Sequence, residues 1–315
     1  MDPLTHTLVG AVTAQAFLKK KVGPEAVPVL CWASNLPDID TLVLLSRDPA
    51  SITMRRSFGH SVFLYPLWAF GLAWIFKRIY PQQKLSTLYL LCLLGASLHV
   101  FFDLVNSFGV LALWPFSNYR PELAIIFIID LLLLGILMAP FALTRLPSWK
   151  GRLKQACRAS AAAVCAYVLF CAGARAQAEV RLMRQAGGLT PELSYVFPEP
   201  LGPHRWRGVV RFGDEYRVYM IHTFTGRVDL WGIVRTDENQ AAAAAVRRIS
   251  PMAKRLEEFF KAPVWTVRPS PDGDGALVTV YDLRFRSLVF PRQGAFEYAF
   301  LLRRDGAVEE RGLKR

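Results

Sequence analysis

Four apolar runs of nearly membrane-spanning length constrain this chain more than any other feature of its sequence. They cover residues 61–76, 87–105, 123–143 and 159–174, and a helix needs about 17–25 residues to cross a bilayer when its flanks are included. Two shorter apolar runs, residues 4–18 and 27–36, precede them. The pattern predicts an α-helical membrane domain of about six segments.

Short basic clusters between the apolar runs predict how these segments are oriented. Six alternating passes place all the clusters on one face, which the positive-inside rule makes cytoplasmic. We therefore expect a multi-pass protein of the bacterial inner membrane, with both termini outside the cytoplasm. The clusters are formed by Lys19, Lys20, Lys21, Lys77, Arg78, Arg145, Lys150, Arg152, Lys154 and Arg158.

The composition changes at about residue 177, where apolar and polar residues begin to alternate. Residues 206–234 predict three antiparallel strands, with turns at Gly-Asp and Thr-Gly, and residues 238–261 predict one amphipathic helix before further strands. We expect a helical membrane domain at 1–176, a Pro/Gly-rich linker at 177–203, and a small soluble α+β domain at 204–315 outside the cytoplasm.

Histidines and aspartates lie at one end of the predicted membrane segments. In the run GASLHVFFDLVNSFG, His99 and Asp103 are four residues apart and therefore share a helix face. Ionisable groups in lipid cost several kcal/mol, about 2.5–3.5 for a central aspartate, unless they pair or line a wet site. Convergence at one depth predicts a common site made of His6, Asp38, Asp40, His60, His99 and Asp103.

The donor types in this set indicate a metal. Imidazoles and carboxylates without a thiolate suit Zn²⁺ or Mn²⁺. Each residue also has a simpler interpretation. His99 and Asp103 could form an ordinary helix pair, His6 could cap a helix, and His60 could face water. The two aspartates after Pro37 could form a turn.

Several motifs then carry a family resemblance. THTLVGA at 5–11, LPDID at 36–40, GHS at 59–61, HVFFDLVNSFG at 99–109 and WPFS at 114–117 resemble the membrane-bound metal-dependent hydrolases of the DUF457 type, whose bacterial members include YdjM-like and YfhP-like proteins. DLRF at 282–285 is similar to the longer YfhP-like subgroup. The ligand order resembles zinc-dependent phospholipase C. The resemblance implies metal binding by Asp38, His60, His99 and Asp103, with His6 near a second metal.

One departure from the family pattern concerns the stretch before His60. The family usually reads His-Arg-Gly-x-Thr-His-Ser, whereas this chain has Arg55 in place of the first His and Gly59 in place of the Thr. If that His is a ligand or a proton carrier in the family, the site of this chain is depleted. Either it binds fewer metal ions, or its catalysis is altered or absent.

We expect a metal-dependent hydrolase that acts on a phosphoester of a lipid or lipid-linked molecule reached from the bilayer. Asp40 is a candidate general base or partner of a ligand histidine. Arg55 and Arg56 are candidates for phosphate binding, although lipid headgroup contact is an alternative. Asp130, alone in an apolar run, could support the site or be an inert residue capped by another helix.

Other function classes fit the sequence less well. A non-catalytic membrane scaffold or partner-binding protein with a vestigial metal site is the main alternative. A nucleic-acid role is disfavoured by the predicted placement outside the cytoplasm. A transporter would show inverted repeats, and a metalloprotease of the zincin type would show HExxH, and the sequence contains neither.

Overall fold

The computed structural model of the chain describes residues 1–46, 51–185, 187, 189–288 and 296–313. These residues form two compact units. The first comprises Met1–Ser46 and Met54–Gly173, and the second contains the described residues from Ala174 onward. The first unit is helical, whereas all the described strands belong to the second.

The helical part of the chain alternates α-helices with shorter turns of other geometry. Its elements, in chain order, are α1 (Pro3–Thr13), a π-helix (Ala14–Leu18), α2 (Lys19–Val22), α3 (Ala26–Ala33), a 3-10 helix (Leu36–Ser46), α4 (Ser51–Met54), α5 (Tyr65–Ile79), α6 (Leu85–Val105), α7 (Leu131–Leu143), a second 3-10 helix (Pro147–Trp149) and α8 (Leu153–Gln185).

Helix α1 begins with a strong local signal. The carboxylate of Asp2 accepts a hydrogen bond of 3.0 Å from the backbone N–H of Thr5, and Pro3 is the first helical residue. An N-terminal aspartate satisfies one of the free N–H groups of the first turn, and proline has no N–H to leave unsatisfied. His6 is thereby held in the first turn of the helix.

Helix α3 packs against α1 and α6 at very short range. A Cβ atom at Gly95 of α6 would lie 2.6 Å from the Cβ of Ala33, and one at Gly10 of α1 would lie 2.8 Å from the carbonyl oxygen of Leu30. The two glycines therefore set the distance between these helices. Buried apolar side chains of α3, α5 and α6 close the core around this contact, among them Leu30 and Leu88.

Two of the described helices, α6 and α8, are long and apolar enough to cross a membrane, and α7 is a shorter apolar helix. The prediction of a six-segment membrane domain is therefore wrong. Within the described residues, the other predicted segments do not form uninterrupted α-helices of spanning length.

The predicted segments are shortened by identifiable residues. The run at 27–36 stops being α-helical at Ala33, because Pro37 restricts the backbone before it and the chain continues as a 3-10 helix. The run at 123–143 is helical only from Leu131, where the carboxylate of Asp130 caps α7 by accepting from the N–H of Leu133 at 2.8 Å. The first run is interrupted by the π-helix.

The second unit contains two antiparallel four-stranded sheets. The first sheet has the order β1 (Leu193–Pro198), β2 (Arg205–Phe212), β3 (Glu215–His222) and β4 (Val228–Arg235). The second has the order β5 (Pro263–Pro269), β6 (Ala276–Asp282), β7 (Tyr298–Leu302) and β8 (Val308–Leu313). Helices α9 (Ala241–Ile249) and α10 (Pro251–Phe259) lie between them in the chain. Strands β2, β3 and β4 lie in the stretch predicted to contain three strands, with turns at the predicted dipeptides.

Two sequence boundaries differ in the structure. The single helix predicted at 238–261 is two helices, because the hydroxyl of Ser250 caps α10 by accepting from Ala253 N–H at 3.1 Å and Pro251 starts it. The stretch predicted as a linker at 177–203 contains the end of α8 and the strand β1. The end of α8 packs on the first sheet through Ala178 and Leu182.

A hydrogen bond between two buried ion pairs connects the two sheets of the second unit. Arg207 on β2 contacts Glu199 at 3.0 Å and donates a hydrogen bond of 2.8 Å to the carbonyl of Arg284. Arg284 in turn contacts Asp282 at the end of β6 at 3.2 Å. Because all four side chains are buried, breaking one pair would leave a charge without solvent, which is strongly destabilising.

The close contact at Gly95 yields a test of the helix packing. Gly95→Ala should lower the midpoint of thermal unfolding, because the new methyl group overpacks the contact with Ala33, which typically costs about 1–3 kcal/mol. Gly135→Ala in α7 is the matched control, since no atom lies within 4 Å of its Cβ position. Both changes gain the same helix propensity. Circular dichroism of the detergent-solubilised protein measures both midpoints, and an unchanged or higher midpoint for Gly95→Ala would contradict the packing.

Candidate metal centre

Four side chains from three parts of the first unit converge on one point. His99 and Asp103 lie on the last turns of α6, Asp38 lies on the first 3-10 helix, and His60 lies in the turn before α5. One ligand atom from each of these residues lies within 4.8 Å of the others. His60, His99 and Asp103 are buried, and the side chain of Asp38 is 21% exposed.

The distances between the donor atoms agree with a metal site. Nε2 of His60 lies 3.1 Å from Nε2 of His99 and 3.0 Å from Oδ2 of Asp103. Nε2 of His99 lies 3.5 Å from the same Oδ2, so the three atoms form a triangle. Oδ1 of Asp38 lies 3.8 Å from Nε2 of His99. Bonds of about 2.0–2.2 Å to a tetrahedral ion would place its ligand atoms roughly 3.3–3.6 Å apart. The four residues therefore could hold a metal ion.

Hydrogen bonds at the opposite ring nitrogens determine which atoms face the point of convergence. Nδ1 of His99 lies 2.7 Å from the carbonyl oxygen of Ser34, which can only accept, so Nδ1 carries the hydrogen. Nδ1 of His60 lies 2.8 Å from Oδ2 of Asp40. In the neutral rings, both Nε2 lone pairs then point at each other and at a carboxylate oxygen. Such an arrangement calls for a cation, and partners of this kind commonly orient metal-bound histidines.

A proton is the competitor of a metal at this point. Burial lowers the pKa of His60, but its hydrogen bonds to Asp103 and Asp40 and their negative charges outweigh the burial and raise the pKa above its usual value. One proton can bridge only two of the three lone-pair atoms, Nε2 of His60, Nε2 of His99 and Oδ2 of Asp103, whereas a metal ion can bind all three. Metal binding at such a site must displace the proton.

Asp40 lies in the second layer of the site. Its Oδ2 is bonded to His60, the residue is fully buried, and its Oδ1 has no hydrogen-bond partner among the described residues. A Cβ atom at Gly59 would lie 1.9 Å from the carbonyl oxygen of Pro37 and 3.3 Å from Oδ2 of Asp40. Gly59 thus lets the turn with His60 approach the segment with Asp38 and Asp40, and a threonine at this position would not fit.

His6 lies beside the cluster rather than within it. Its ring stacks on that of His99, with centroids 3.6 Å apart, and its Nε2 lies 3.3 Å from Oδ1 of Asp103. Neither ring nitrogen has a hydrogen bond of good geometry in the part of the chain that the structure describes, although the residue is buried. The structure places this predicted ligand next to Oδ1 of Asp103, whereas Oδ2 is the oxygen that faces His60 and His99.

Asp103 has further partners that the sequence analysis did not identify. Nε of Arg56 lies 2.7 Å from Oδ2, the side-chain amide of Asn106 donates to Oδ1 at 3.3 Å, and the amino group of Met1 also contacts Oδ1. Asn106 follows Asp103 by three residues and could have been found by helical spacing. Arg56, predicted to bind phosphate, is instead buried and bonded to Asp103 and to Asn106 at 2.9 Å.

Arg55 and Asp130 have different surroundings. Arg55 is half-buried, its guanidinium lies 5.6 Å from the centre of the Phe108 ring, and its Nε has no hydrogen-bond partner among the described residues. Asp130 caps α7 and accepts a hydrogen bond of 2.7 Å from the hydroxyl of Tyr167 on α8. Its described contacts join two helices, and it is not one of the four residues of the cluster.

Apolar spanning-length helices and a buried His/Asp cluster define a class of membrane-associated protein with a candidate metal site. The pattern of the YdjM inner membrane protein family matches residues 1–178, which is more than half of the chain. The chain therefore belongs to the YdjM inner membrane protein family, and the inner membrane is its location.

One relative extends this comparison. The chain is 35% identical over 133 residues to the uncharacterized protein YfhP of Bacillus subtilis (strain 168), and the match covers 40% of this chain and 41% of that protein. The resemblance to YdjM-like and YfhP-like proteins is confirmed. The chain thus matches less than half the length of this relative, and no solved structure matches the chain.

Removing a ligand tests the metal centre directly. His99→Ala should abolish bound metal, because the variant loses one of the three buried donors, and elemental analysis of the purified protein measures metal per chain. His222→Ala on β3 is the control, since His222 lies in the second unit and pairs with Asp229 at 3.6 Å. Asp103→Asn, a change of similar size, provides a second ligand variant. Unchanged metal in both ligand variants would refute the site.

Asp40, which is bonded to His60 behind the candidate ligands, should affect metal affinity less than a ligand does. Asp40→Asn should weaken metal binding roughly 10–100-fold without abolishing it, because partners that orient a ligand histidine have effects of this size. Asp130→Asn is the matched control, being a buried aspartate whose described bonds are to Leu133 and Tyr167. Competition with a chromophoric chelator measures both affinities. Equal affinities would show that Asp40 does not position His60.

Proposed function

We propose that this chain is a membrane-embedded metal-dependent hydrolase that acts on a phosphoester of a lipid or lipid-linked molecule. The observation that carries the proposal is the convergence of His60, His99 and Asp103, whose Nε2 and Oδ2 atoms face one point. A set of imidazoles and carboxylates without thiolates is typical of catalytic rather than structural metal sites.

The exposure of the ligands supports a reactive site with one open side. His60, His99 and Asp103 are sealed from solvent, whereas Asp38 is partly exposed. Catalytic metal sites keep one position for water or substrate. Water and substrate would therefore approach from the side of Asp38.

Zinc, or alternatively manganese, would supply a Lewis acid that polarises a phosphoryl oxygen and lowers the pKa of a water to about 7. His60, His99, Asp103 and Asp38 would hold the ion. Asp40 would keep His60 in the tautomer whose Nε2 faces the ion, because it occupies Nδ1 at 2.8 Å. Since Asp40 is buried and already bonded, we assign it this positioning role rather than that of a general base.

Positive charge beside the cluster favours an anionic substrate. The guanidinium groups of Arg55, Arg56 and Arg120 lie 5.6, 4.7 and 5.8 Å from the centre of one ring, that of Phe108. Arg56 is bonded to Asp103, so its charge balances a ligand. Arg120 is buried and donates to the carbonyl oxygens of Arg55 and Gly109. Arg55 is therefore the candidate for phosphate, because a guanidinium can bind two phosphate oxygens at once.

The proposed site faces the extracytoplasmic side of the inner membrane. Helix α8 is preceded by the basic residues Arg145, Lys150 and Arg152, and α6 is preceded by Lys77, Arg78 and Lys84. The positive-inside rule orients both helices with their first residues in the cytoplasm. His99 and Asp103, at the end of α6, and the unit that follows α8 would then lie outside.

A partner-binding protein is the second candidate, and one feature of the second unit favours it. Strand β4 is at the edge of its sheet, and its side chains Leu230, Trp231 and Ile233 are 54%, 59% and 52% exposed. Exposed apolar edge strands are common sites of association. Metal binding without turnover of any phosphoester would favour this candidate.

The charge at Arg55 yields the test of the reaction. Arg55→Ala should raise KM for phosphatidic acid or bis(p-nitrophenyl) phosphate by about 10–100-fold, because a charged hydrogen bond contributes about 1.5–3 kcal/mol, and it should leave metal content unchanged. Arg78→Ala, which removes a guanidinium stacked on Trp74 at 4.3 Å, is the control. Mass spectrometry of products from metal-loaded protein supplies the rates.

Two outcomes would contradict this assignment. An unchanged KM in Arg55→Ala would remove Arg55 from the substrate site. A gain in bound metal and activity in Arg55→His would instead show that the arginine stands where a ligand is missing, since imidazole coordinates metals and guanidinium does not.

Orientation is tested by reporters at two positions. Alkaline phosphatase fused after Arg315 should be active and β-galactosidase at the same position inactive, because the end of α8 is expected outside the cytoplasm. Fusions after Trp149, before α8, should give the opposite result. Active β-galactosidase after Arg315 would place the second unit in the cytoplasm.

A further inference from the structure

An apolar groove runs beside the metal-ligating part of α6. It has a volume of about 470 Å³ and is formed by side chains of α1, the π-helix, α6, α7 and α8. Thr13 and Cys165 are the most polar of the described side chains that line it, and none of these side chains is charged. Its volume lies in the range of about 300–1,000 Å³ that is usual for ligand pockets.

The groove is elongated along the helices. On α8 it is lined by Ala161, Val164, Cys165, Val168 and Leu169, which form a single stripe at helical spacing. Ala161 and Leu169 are eight helical steps apart, which corresponds to a length of about 12 Å. A groove that extends along several helices and has no charged lining suits an extended hydrocarbon chain rather than a headgroup or a water-soluble metabolite.

The π-helix opens the other wall of the groove. Val12 and Thr13 precede the π-helix and Phe17 lies within it, and all three side chains line the groove. Phe17 is 48% exposed. A π-helix has wider turns than an α-helix and is frequently found at functional sites.

The groove and the metal ligands share the same turns of the same helices. Leu98 and Phe102 line the groove, and the next residue after each is a ligand of the cluster, His99 or Asp103. On α1, Val9 lines the groove one turn after His6. The groove therefore reaches the depth of His99 and Asp103 along α6, so a chain bound in it could carry its attached group to the level of the candidate metal centre.

We propose that this groove binds the hydrocarbon chain of the lipid whose phosphoester is hydrolysed. The proposal rests on the proposed function, and it identifies the substrate as a lipid with an extended acyl or isoprenoid chain. The apolar lining provides affinity through close van der Waals contacts, which replace looser contacts between the chain and neighbouring lipid tails. The phosphate attached to the chain would then lie near His99 and Asp103 at the end of α6.

The experiment uses the full chain in vesicles that contain phosphatidic acid with a photoactivatable diazirine in the acyl chain. After illumination, cross-linked peptides are mapped by mass spectrometry. Cross-links should concentrate on the peptides of Phe17, Leu98 and residues 161–169. Ala161→Trp should lose them because the indole fills the groove, whereas Ala162→Trp, on the exposed face of the same helix, should keep them. Metal content should be equal in all three proteins.

A second arm modifies the folded protein. Cys165 is exposed and lines the groove, so dodecyl methanethiosulfonate should attach a hydrocarbon chain there. This label should block turnover of phosphatidic acid and leave turnover of bis(p-nitrophenyl) phosphate unchanged. Cys165→Ala protein given the same treatment controls for reaction at other cysteines.

The outcomes separate this inference from the proposed function. Hydrolysis of phosphatidic acid without cross-links in the groove, or unaffected by the Cys165 label, would overturn the groove and leave the hydrolase standing. Cross-links in the groove without hydrolysis of any phosphoester would support the groove as a lipid site and overturn the hydrolase. Cross-links spread evenly over the apolar surface would indicate bulk lipid only and overturn the groove.

Discussion

The buried carboxylate of Asp103 is the charge around which the first unit is arranged. It has no access to solvent, and an unpaired charge in such a place would cost several kcal/mol. Cationic or imidazole groups from other parts of the chain therefore surround it, including Arg56, His6 and His60. His6 lies on α1, and Arg56 and His60 both lie in the turn region before α5. The need to pair one carboxylate therefore brings α1, this turn region and the end of α6 together. A metal ion bound to Oδ2 would serve the same need.

The site depends equally on residues that never face the point of convergence. The carbonyl of Ser34 and the carboxylate of Asp40 each occupy the Nδ1 of one histidine, which leaves both Nε2 atoms for a ligand. These two residues belong to the segment that stops being helical before Pro37, and Gly59 allows the turn with His60 to approach that segment. The irregular backbone that shortens a predicted membrane segment is therefore the backbone that positions the histidines. A regular helix through this region would not bring its carbonyl and carboxylate to two different rings.

Much of the site could be predicted from the sequence, whereas less of the helical architecture could. His99 and Asp103 share a face because of their spacing, and scarce ionisable groups in apolar runs suggested that Asp38 and His60 would join them. Hydropathy alone could not distinguish a spanning α-helix from an apolar run that is only partly α-helical. The shortened runs contain a π-helix, a 3-10 helix or an irregular stretch before a capped helix. Asp130 illustrates this, because the acid that was considered for the site in fact ends the irregular stretch and begins α7. Arg56 is a second example, because the sequence predicted a contact with the substrate phosphate and the structure shows an ion pair with Asp103.

By itself, the sequence determined that the chain has apolar helices, a strand-rich second part, and a set of imidazoles and carboxylates suited to a metal. Those properties follow from local composition and periodicity, which act over a few residues. Only the tertiary structure decided which donors meet, which nitrogen of each ring faces inward, and that His6 stacks on His99 while Asp40 stands behind His60. It also decided that α1, α6, α7 and α8 leave an apolar groove along the turns of α6 that carry His99 and Asp103. These features depend on contacts between residues far apart in the chain, and no local pattern records the packing that produces them.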